Sequence, residues 1–209
     1  PGIEVFGGVV LNRAVGGLNP DAVTAMVSMD GHRGRVVWLP TLDAPSTEIL
    51  RGGRVTPALE RVLQLVASHD LVLATGHVAP ADAVVILDAA RAMGARRFVV
   101  THALSALVHA SLDEMRALAA RGAFIELAYL PHVRREPGSA GPAPLAQALA
   151  VIRALGPEHV VLSSDLGRAG FGRHTDGLRG FIRALRAYGV AADEIDTMVR
   201  RNPARLLGL

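Results

Sequence analysis

Three apolar segments of this chain each end in a side chain that can bind a metal ion. They are the runs 71–77 (LVLATGH), 97–102 (RFVVTH) and 160–165 (VVLSSD), which end in His77, His102 and Asp165. Each run has the composition of a buried β-strand and is followed by a turn and a helical pattern. In a parallel α/β protein, ligands bind at the carboxyl ends of the strands. Two imidazoles and a carboxylate at that edge predict a divalent-cation site, with zinc as the first choice, and therefore a metal-assisted enzyme.

The amino-acid composition predicts a single domain and excludes several kinds of catalytic and metal site. The chain has 209 residues, 50% of them hydrophobic, which is enough to bury roughly 70% of the unfolded surface in one core. We therefore expect a single domain over 1–209. The sequence contains no cysteine and no lysine, which excludes disulfides, thiolate ligands, a Schiff-base mechanism and a carboxylated lysine that bridges two metals.

Charge and hydropathy point to a small-molecule substrate rather than to nucleic acid or membrane. The pI of about 10.4 arises because all 22 basic residues are arginine, although the formal net charge is only +3. These arginines are scattered, and aromatic residues make up only 4% of the chain, so stacking platforms for bases are not evident. No apolar stretch reaches the ~18 residues that a transmembrane helix needs, and a cytoplasmic location is the default expectation.

The elements that must position these ligands repeat as strand and then helix. Helix starts are indicated at Asn19-Pro20, at Thr56-Pro57 and at the capping box Ser111 to Glu114. Two long segments, 130–144 and 166–174, follow strand ends and are expected to be loops. The predicted strands cover residues 5–11, 35–39, 71–75, 98–101, 123–129 and 160–163. Strands this apolar indicate a parallel sheet covered by helices.

The order of the ligands favours a barrel over an open sheet. Neighbouring strands lie ~4.8 Å apart, so in a flat sheet Asp165 would be about 14 Å from His77, too far for a metal bond of ~2 Å. In a barrel the strand ends converge around an axis. No Gly-x-Gly-x-x-Gly motif follows the first strand, which weakens a dinucleotide-binding interpretation. The expected fold is α/β, (β/α)8 TIM-barrel-like, with six of eight βα units present.

The strand-end motifs resemble those of the amidohydrolase superfamily, and the chain looks closest to an uncharacterised amidohydrolase-like group. Residues 75–77, 100–102 and 163–165 resemble the fifth-strand histidine, sixth-strand histidine and eighth-strand aspartate of that superfamily, and 202–209 resembles its C-terminal helix ending. The resemblance implies a metal-dependent hydrolase in which Asp165 orients a metal-activated water and takes its proton. The superfamily's usual first-strand His-x-His is absent from the sequence, so we expect that the N-terminal strands lie upstream of Pro1.

Further candidate residues lie close to the predicted site. Glu126, in the fifth predicted strand, could serve as a bridging carboxylate ligand, or it could pair with an arginine. His132, His174 and Arg173 belong to the two long loops and are candidates for substrate binding. The same loops carry Arg134, Arg135 and Arg168. An arginine fork suits a carboxylate or a phosphate, although charge on a loop is also explained by solvation alone.

Three functions follow from these observations. The first is hydrolysis of an amide, ester, lactone or phosphoester bond by a metal-activated water. The alternative is a degenerate, non-catalytic barrel that acts as a binding or structural subunit, whose open edges would favour pairing, including homo-oligomers. The third is a non-haem iron centre with two histidines and one carboxylate, a type of site that usually occupies other folds.

Overall fold

The structure is a computed structural model that describes residues 3–134 and 139–209. It divides into two compact units, Pro1–Val99 and Val100–Leu209. The expectation of one domain over the whole chain stays a prediction, and each unit is described here by itself.

The first unit is a parallel sheet with helices in its connections. Its parallel strands pair in the order β1-β2-β5-β6, with Val36 opposite Val72 and Leu73 opposite Phe98. A short antiparallel hairpin, β3 with β4, lies in the connection that follows β2. The elements are β1 Gly7–Val10, α1 Pro20–Val27, β2 Gly34–Trp38, β3 Leu50–Arg51, β4 Arg54–Val55, α2 Pro57–Ser68, β5 Val72–Ala74, α3 Pro80–Ala92 and β6 Arg97–Val100, which reaches the unit boundary.

Helix α2 shows how local sequence builds this unit. The Thr56 hydroxyl accepts a hydrogen bond from the Leu59 N–H at 3.4 Å, and proline stands at the first helical position. One face of the helix is buried completely, through Leu59, Val62, Leu63 and Val66. Burial of each such side chain contributes roughly 1.5–3 kcal/mol, so packing of this face stabilises the helix more than its cap does.

An ion pair fixes the turn that enters β5. Asp70 adopts a left-handed backbone (φ +50°) and accepts hydrogen bonds from Arg97 at 2.7 Å and from Arg96 at 3.3 Å. The Arg97 hydrogen bond holds the pKa of Asp70 below its usual value, against the opposing effect of partial burial. The turn lies at the amino ends of the strands, the side that in α/β barrels serves stability.

The second unit contains β7 and β8, a parallel pair with Ile125 opposite Val160 and Ala128 opposite Ser163. Helix α4 begins with the predicted capping box, in which Glu114 accepts from the Ser111 hydroxyl at 2.7 Å and from the Ser111 N–H at 2.8 Å. These two hydrogen bonds, the hydroxyl first, lower the pKa of Glu114. The elements are α4 Leu112–Ala119, β7 Ala123–Ala128, α5 Leu130–Val133, α6 Leu145–Leu155, β8 Val160–Ser163, α7 His174–Ala187, α8 Ala192–Asp196 and α9 Asn202–Leu207.

The architecture confirms the predicted fold class: six parallel strands, each followed by helical segments, in an α/β arrangement. All three residues of β5 are buried, as are three of the four in β6 and in β8. β1 departs from the expectation of uniformly buried strands. It is paired on one side only in the described residues, and its two glycines are exposed.

Several local predictions were wrong. The hairpin of β3 and β4 was missed because its strands have two residues each, too few for a period to show. The segment 130–144 is not loop throughout, since α5 forms one turn over Leu130–Val133, with Pro131 at its start. His174 is the first residue of α7 rather than a loop residue. A five-residue π-helix, Thr197–Arg201, joins α8 to α9 and was not foreseen.

Within the described residues, none of the helices has both the length and the apolar character required to cross a membrane.

Candidate functional site

The turn that carries His77 follows β5 in the first unit. The His77 backbone N–H donates to the Pro40 carbonyl at 3.0 Å. The preceding Gly76 has φ +58°, and a Cβ atom there would lie 2.3 Å from the Leu39 carbonyl oxygen and 2.6 Å from that of Pro40. Only glycine fits such an approach. The loop after β2 therefore holds the His77 turn through close backbone contacts.

That loop is itself fixed by Asn12, which follows β1. The Asn12 amide donates to the Thr41 hydroxyl at 2.9 Å, and its oxygen accepts from the Thr41 N–H at 2.9 Å. Asp43 accepts from the Arg13 N–H at 2.6 Å. Asn12 was not among the site residues predicted from the sequence. The signal available was an asparagine directly after a strand, a residue that often binds nearby backbone groups.

In the second unit, His102 is held by Glu126. His102 follows β6, is buried (7% exposed) and has an unusual backbone with φ +28°. Its N–H donates to the Glu126 Oε2 atom at 2.8 Å, and the next N–H, of Ala103, donates to the Glu126 carbonyl at 3.0 Å. Glu126 lies on β7 and is half-buried. Its carboxylate therefore orients the backbone of the His102 turn.

Asp165 lies two residues beyond β8 and is exposed, with a left-handed backbone at φ +52°. The Ser164 hydroxyl accepts from the Leu166 N–H at 3.4 Å, which tightens the same turn. The positive φ values of His102 and Asp165 are not in themselves a functional signal. His32, Asp70 and His109 share them, and histidine and aspartate are among the residue types that tolerate this conformation best.

The predicted substrate-binding side chains occupy different environments. His132 lies on α5, with Nδ1 2.9 Å from the Ala143 carbonyl and its ring 5.6 Å from that of Phe181. Because a carbonyl only accepts, Nδ1 carries the proton in this contact. His174 is exposed, and Arg173 is an exposed partner of Asp176 at 3.9 Å. Arg135 lies outside the described residues.

No group of three histidine, aspartate or glutamate side chains within 3–134 and 139–209 is placed to hold a metal ion. Of the four proposed ligands, His77 belongs to the first unit and His102, Glu126 and Asp165 to the second. His77, His102 and Asp165 each follow the carboxyl end of a strand, as predicted, and Glu126 lies within β7. Their role as ligands stays a prediction.

Among known protein families, a family model described as "Family of unknown function (DUF6282)" matches residues 1–126 of this chain. No curated protein is significantly similar in sequence.

Solved structures match a larger share of the chain than the family model does. An amidohydrolase from Burkholderia multivorans, solved with bound zinc, has 17% identity and a TM-score of 0.65, covering 92% of this chain and 70% of that one. An organophosphorus hydrolase from Deinococcus radiodurans has 17% identity and a TM-score of 0.59, covering 90% and 61%. A mutant of a PTE-like lactonase from the same organism also has 17% identity and a TM-score of 0.59, covering 90% and 63%.

These similarities establish the fold. The chain has the α/β architecture of amidohydrolase-type TIM barrels, as the strand-end motifs predicted. It spans less than two thirds of the length of the lactonase and of the organophosphorus hydrolase, which agrees with six βα units where a complete barrel has eight.

Proposed function

The chain belongs to a family of unknown function, DUF6282, and we propose that it is a metal-dependent hydrolase in which His77, His102 and Asp165 bind a divalent cation. The observation that carries the proposal is positional. In a fold shared with a zinc-bound amidohydrolase, each of these three side chains follows the carboxyl end of a parallel strand. That end is where catalytic residues of this architecture are found.

The chemistry of the donor set fits zinc. Two neutral imidazoles and one carboxylate form a sufficient catalytic zinc set that leaves a position open for water. When bound, the cation lowers the pKa of its water towards ~7 and polarises the bond to be cleaved. The Glu126 Oε2 atom accepts from the His102 N–H, which gives this carboxylate a structural role next to the proposed site. We therefore assign Glu126 as a positioning residue and not as a bridging ligand.

The chain's own residues would act as follows. The Asp165 carboxylate accepts the proton of the attacking water and returns it to the leaving group. Its exposed position gives both solvent and substrate access to the carboxylate oxygens. The backbone N–H groups of His77 and His102 donate hydrogen bonds to the Pro40 carbonyl and to Glu126, so binding of a cation would require the side chains to reorient while their backbone stays fixed.

The substrate classes to test are those of the structural relatives. They are lactones, organophosphate esters and the amides suggested by the word amidohydrolase. Zinc content after loading and removal of free metal would be measured by mass spectrometry, and hydrolysis would be followed on a panel of neutral lactones, carboxylic esters, amides and phosphotriesters.

Matched variants separate ligation from folding. His102→Asn and Asp165→Asn place asparagine, which tolerates left-handed backbone, at positions that need it. His159→Asn is the control, since His159 is exposed in the turn before β8. We expect at least tenfold weaker zinc binding in His102→Asn and Asp165→Asn, and an unchanged affinity in the control. Equal zinc binding in all of these variants, or a chain without zinc binding and without hydrolysis, would contradict the proposal and favour a non-catalytic binding subunit.

A further inference from the structure

The connection between β8 and α7 in the second unit is a preformed loop. The Gly167 N–H donates to the Gly172 carbonyl at 3.1 Å, and the Phe171 N–H donates to the Arg168 carbonyl at 2.9 Å. Gly167, Gly170 and Gly172 all have positive φ, between +78° and +102°, a conformation that glycine adopts without strain. The loop thus closes on itself and presents the half-buried Phe171 ring.

Two arginines converge on that ring. The Arg134 guanidinium carbon lies 4.0 Å from the Phe171 centroid, and that of Arg168 lies 4.9 Å from it. Arg134 comes from the end of α5, and its Nη1 donates to the Gly170 carbonyl at 2.8 Å. The two guanidinium carbons are therefore no farther apart than the sum of the two distances, about 9 Å. Cation–π contacts orient both groups.

The two guanidinium groups retain most of their donors. A guanidinium has five N–H donors, and within the described residues Arg134 uses one of them while no carboxylate lies within ion-pair distance of Arg134 or Arg168. The nearest acidic residue on α7 in sequence, Asp176, pairs instead with Arg173 and Arg179, at 3.9 and 3.5 Å. Two like charges held at one ring create a local positive potential that favours an anion.

From this arrangement we propose that Arg134 and Arg168 form an oxyanion-recognition subsite that holds a carboxylate or phosphoryl group of the substrate. This inference rests on the proposed function only where it identifies the bound anion as part of a substrate. The loop follows β8 and Arg134 follows β7, so both lie at the strand ends where this architecture binds ligands. A pair of guanidinium forks matches the geometry of planar or tetrahedral oxyanions. The substrate would accordingly carry an anionic group apart from the bond that is cleaved.

The direct test is an anion titration of the metal-free chain. Inorganic phosphate and acetate would be titrated separately in the presence of EDTA, and the arginine Nε–H resonances would be followed by NMR, which detects millimolar binding. We expect saturable shifts, at least fivefold weaker in Arg134→Gln and in Arg168→Gln. The control is Arg183→Gln, an exposed arginine on α7, in which the affinity should stay within a factor of 1.5. The anion that binds more tightly identifies a phosphoryl or a carboxylate ligand.

Failure of this inference differs from failure of the proposed function. The absence of saturable binding of either anion, or an equal loss in all three variants, would overturn the subsite, because the charge would then act diffusely. Because the titration requires neither bound metal nor catalytic turnover, its outcome is independent of whether the protein is a metal-dependent hydrolase. On any ester that the protein hydrolyses, the two subsite variants should raise KM at least fivefold for an anionic substrate and leave it unchanged for a neutral analogue. An equal KM increase for both substrates would also overturn the inference.

Discussion

Substitution of Glu126 is the most informative test, because a positioning residue and a metal ligand predict different zinc affinities for Glu126→Gln. Its Oε2 accepts from the His102 N–H at 2.8 Å. Removal of this acceptor in Glu126→Ala should cost about 2 kcal/mol, the usual contribution of a hydrogen bond to a charged group. In Glu126→Gln the amide oxygen can still accept, so only the charge assistance is lost, about 0.5–1 kcal/mol. For a chain of this size, these losses correspond to decreases in Tm of about 4–8 °C and about 1–4 °C.

The assay combines thermal unfolding, followed by circular dichroism, with zinc content. If Glu126 is a positioning residue, we expect the zinc affinity of Glu126→Gln to stay within threefold of the wild-type value. Glu126→Ala should weaken zinc binding about tenfold, the usual effect of removing a hydrogen bond to a residue next to the metal site. Glu158→Ala is the control, because Glu158 is exposed at the amino end of β8. If Glu126→Gln loses as much zinc as Glu126→Ala, Glu126 is itself a ligand. If Glu126→Ala is as stable as Glu158→Ala, the hydrogen bond does not hold the turn.

Three further predictions concern the framework. Gly76→Ala should cost more than about 3 kcal/mol in urea unfolding, because its Cβ would meet two carbonyl oxygens, whereas Gly94→Ala, with φ +96° and open space around it, should cost about 1–2 kcal/mol; equal losses would contradict the close approach. Asp70→Asn should lose at most about 1 kcal/mol at pH 7, since the carboxylate that pairs with Arg97 is 36% exposed. Because that pairing lowers the pKa of folded Asp70, the difference from wild type should vanish as the pH falls below the unfolded value of about 3.9 and through the folded pKa; a difference that persists through acid unfolding would refute the ion-pair explanation. Asn202→Asp should cost at least about 3 kcal/mol, because the buried amide donates to two carbonyl oxygens, each at 2.7 Å, and a carboxylate cannot donate; a loss below about 1 kcal/mol would show that these bonds do not anchor α9.

The features that were predictable from sequence depend on local or periodic signals. β8 was placed at its observed bounds because its apolar run is bounded by a turn on each side, and the Ser111 capping box marked the start of α4 to the residue. β1, β5 and β7 were predicted one or two residues too long at one or both ends, and β2 and β6 were predicted one residue too far along the chain, because the composition of each run does not mark the first and last ladder hydrogen bonds. The two-residue strands of the β3–β4 hairpin and the single turn of α5 are too short to show a period.

The contacts that build the candidate site were not predictable in the same way. Nothing in the spacing of Asn12 and Thr41 indicates that their side chains and backbone meet, because the contact depends on the pairing of β1 with β2. The Glu126 carboxylate was expected to bind a metal ion or to pair with an arginine, and its hydrogen bond with the backbone N–H of His102 was not foreseen. Such contacts arise from tertiary register, which a single sequence does not display.

The way in which the two histidine turns are held determines how variants at this site should be interpreted. The turn of His77 is fixed by a glycine that packs against backbone carbonyls, and that of His102 by a carboxylate that accepts from the main chain. In both cases a backbone N–H donates one of the hydrogen bonds that hold the turn. Replacement of either imidazole keeps that backbone bond, whereas Gly76→Ala or Glu126→Ala disturbs a backbone anchor and keeps the imidazole. If the histidines are ligands, the first pair of variants should lose more zinc affinity for a given loss of stability than the second pair. Stability and zinc content that fall together in all four variants would mean that the histidines serve only the fold.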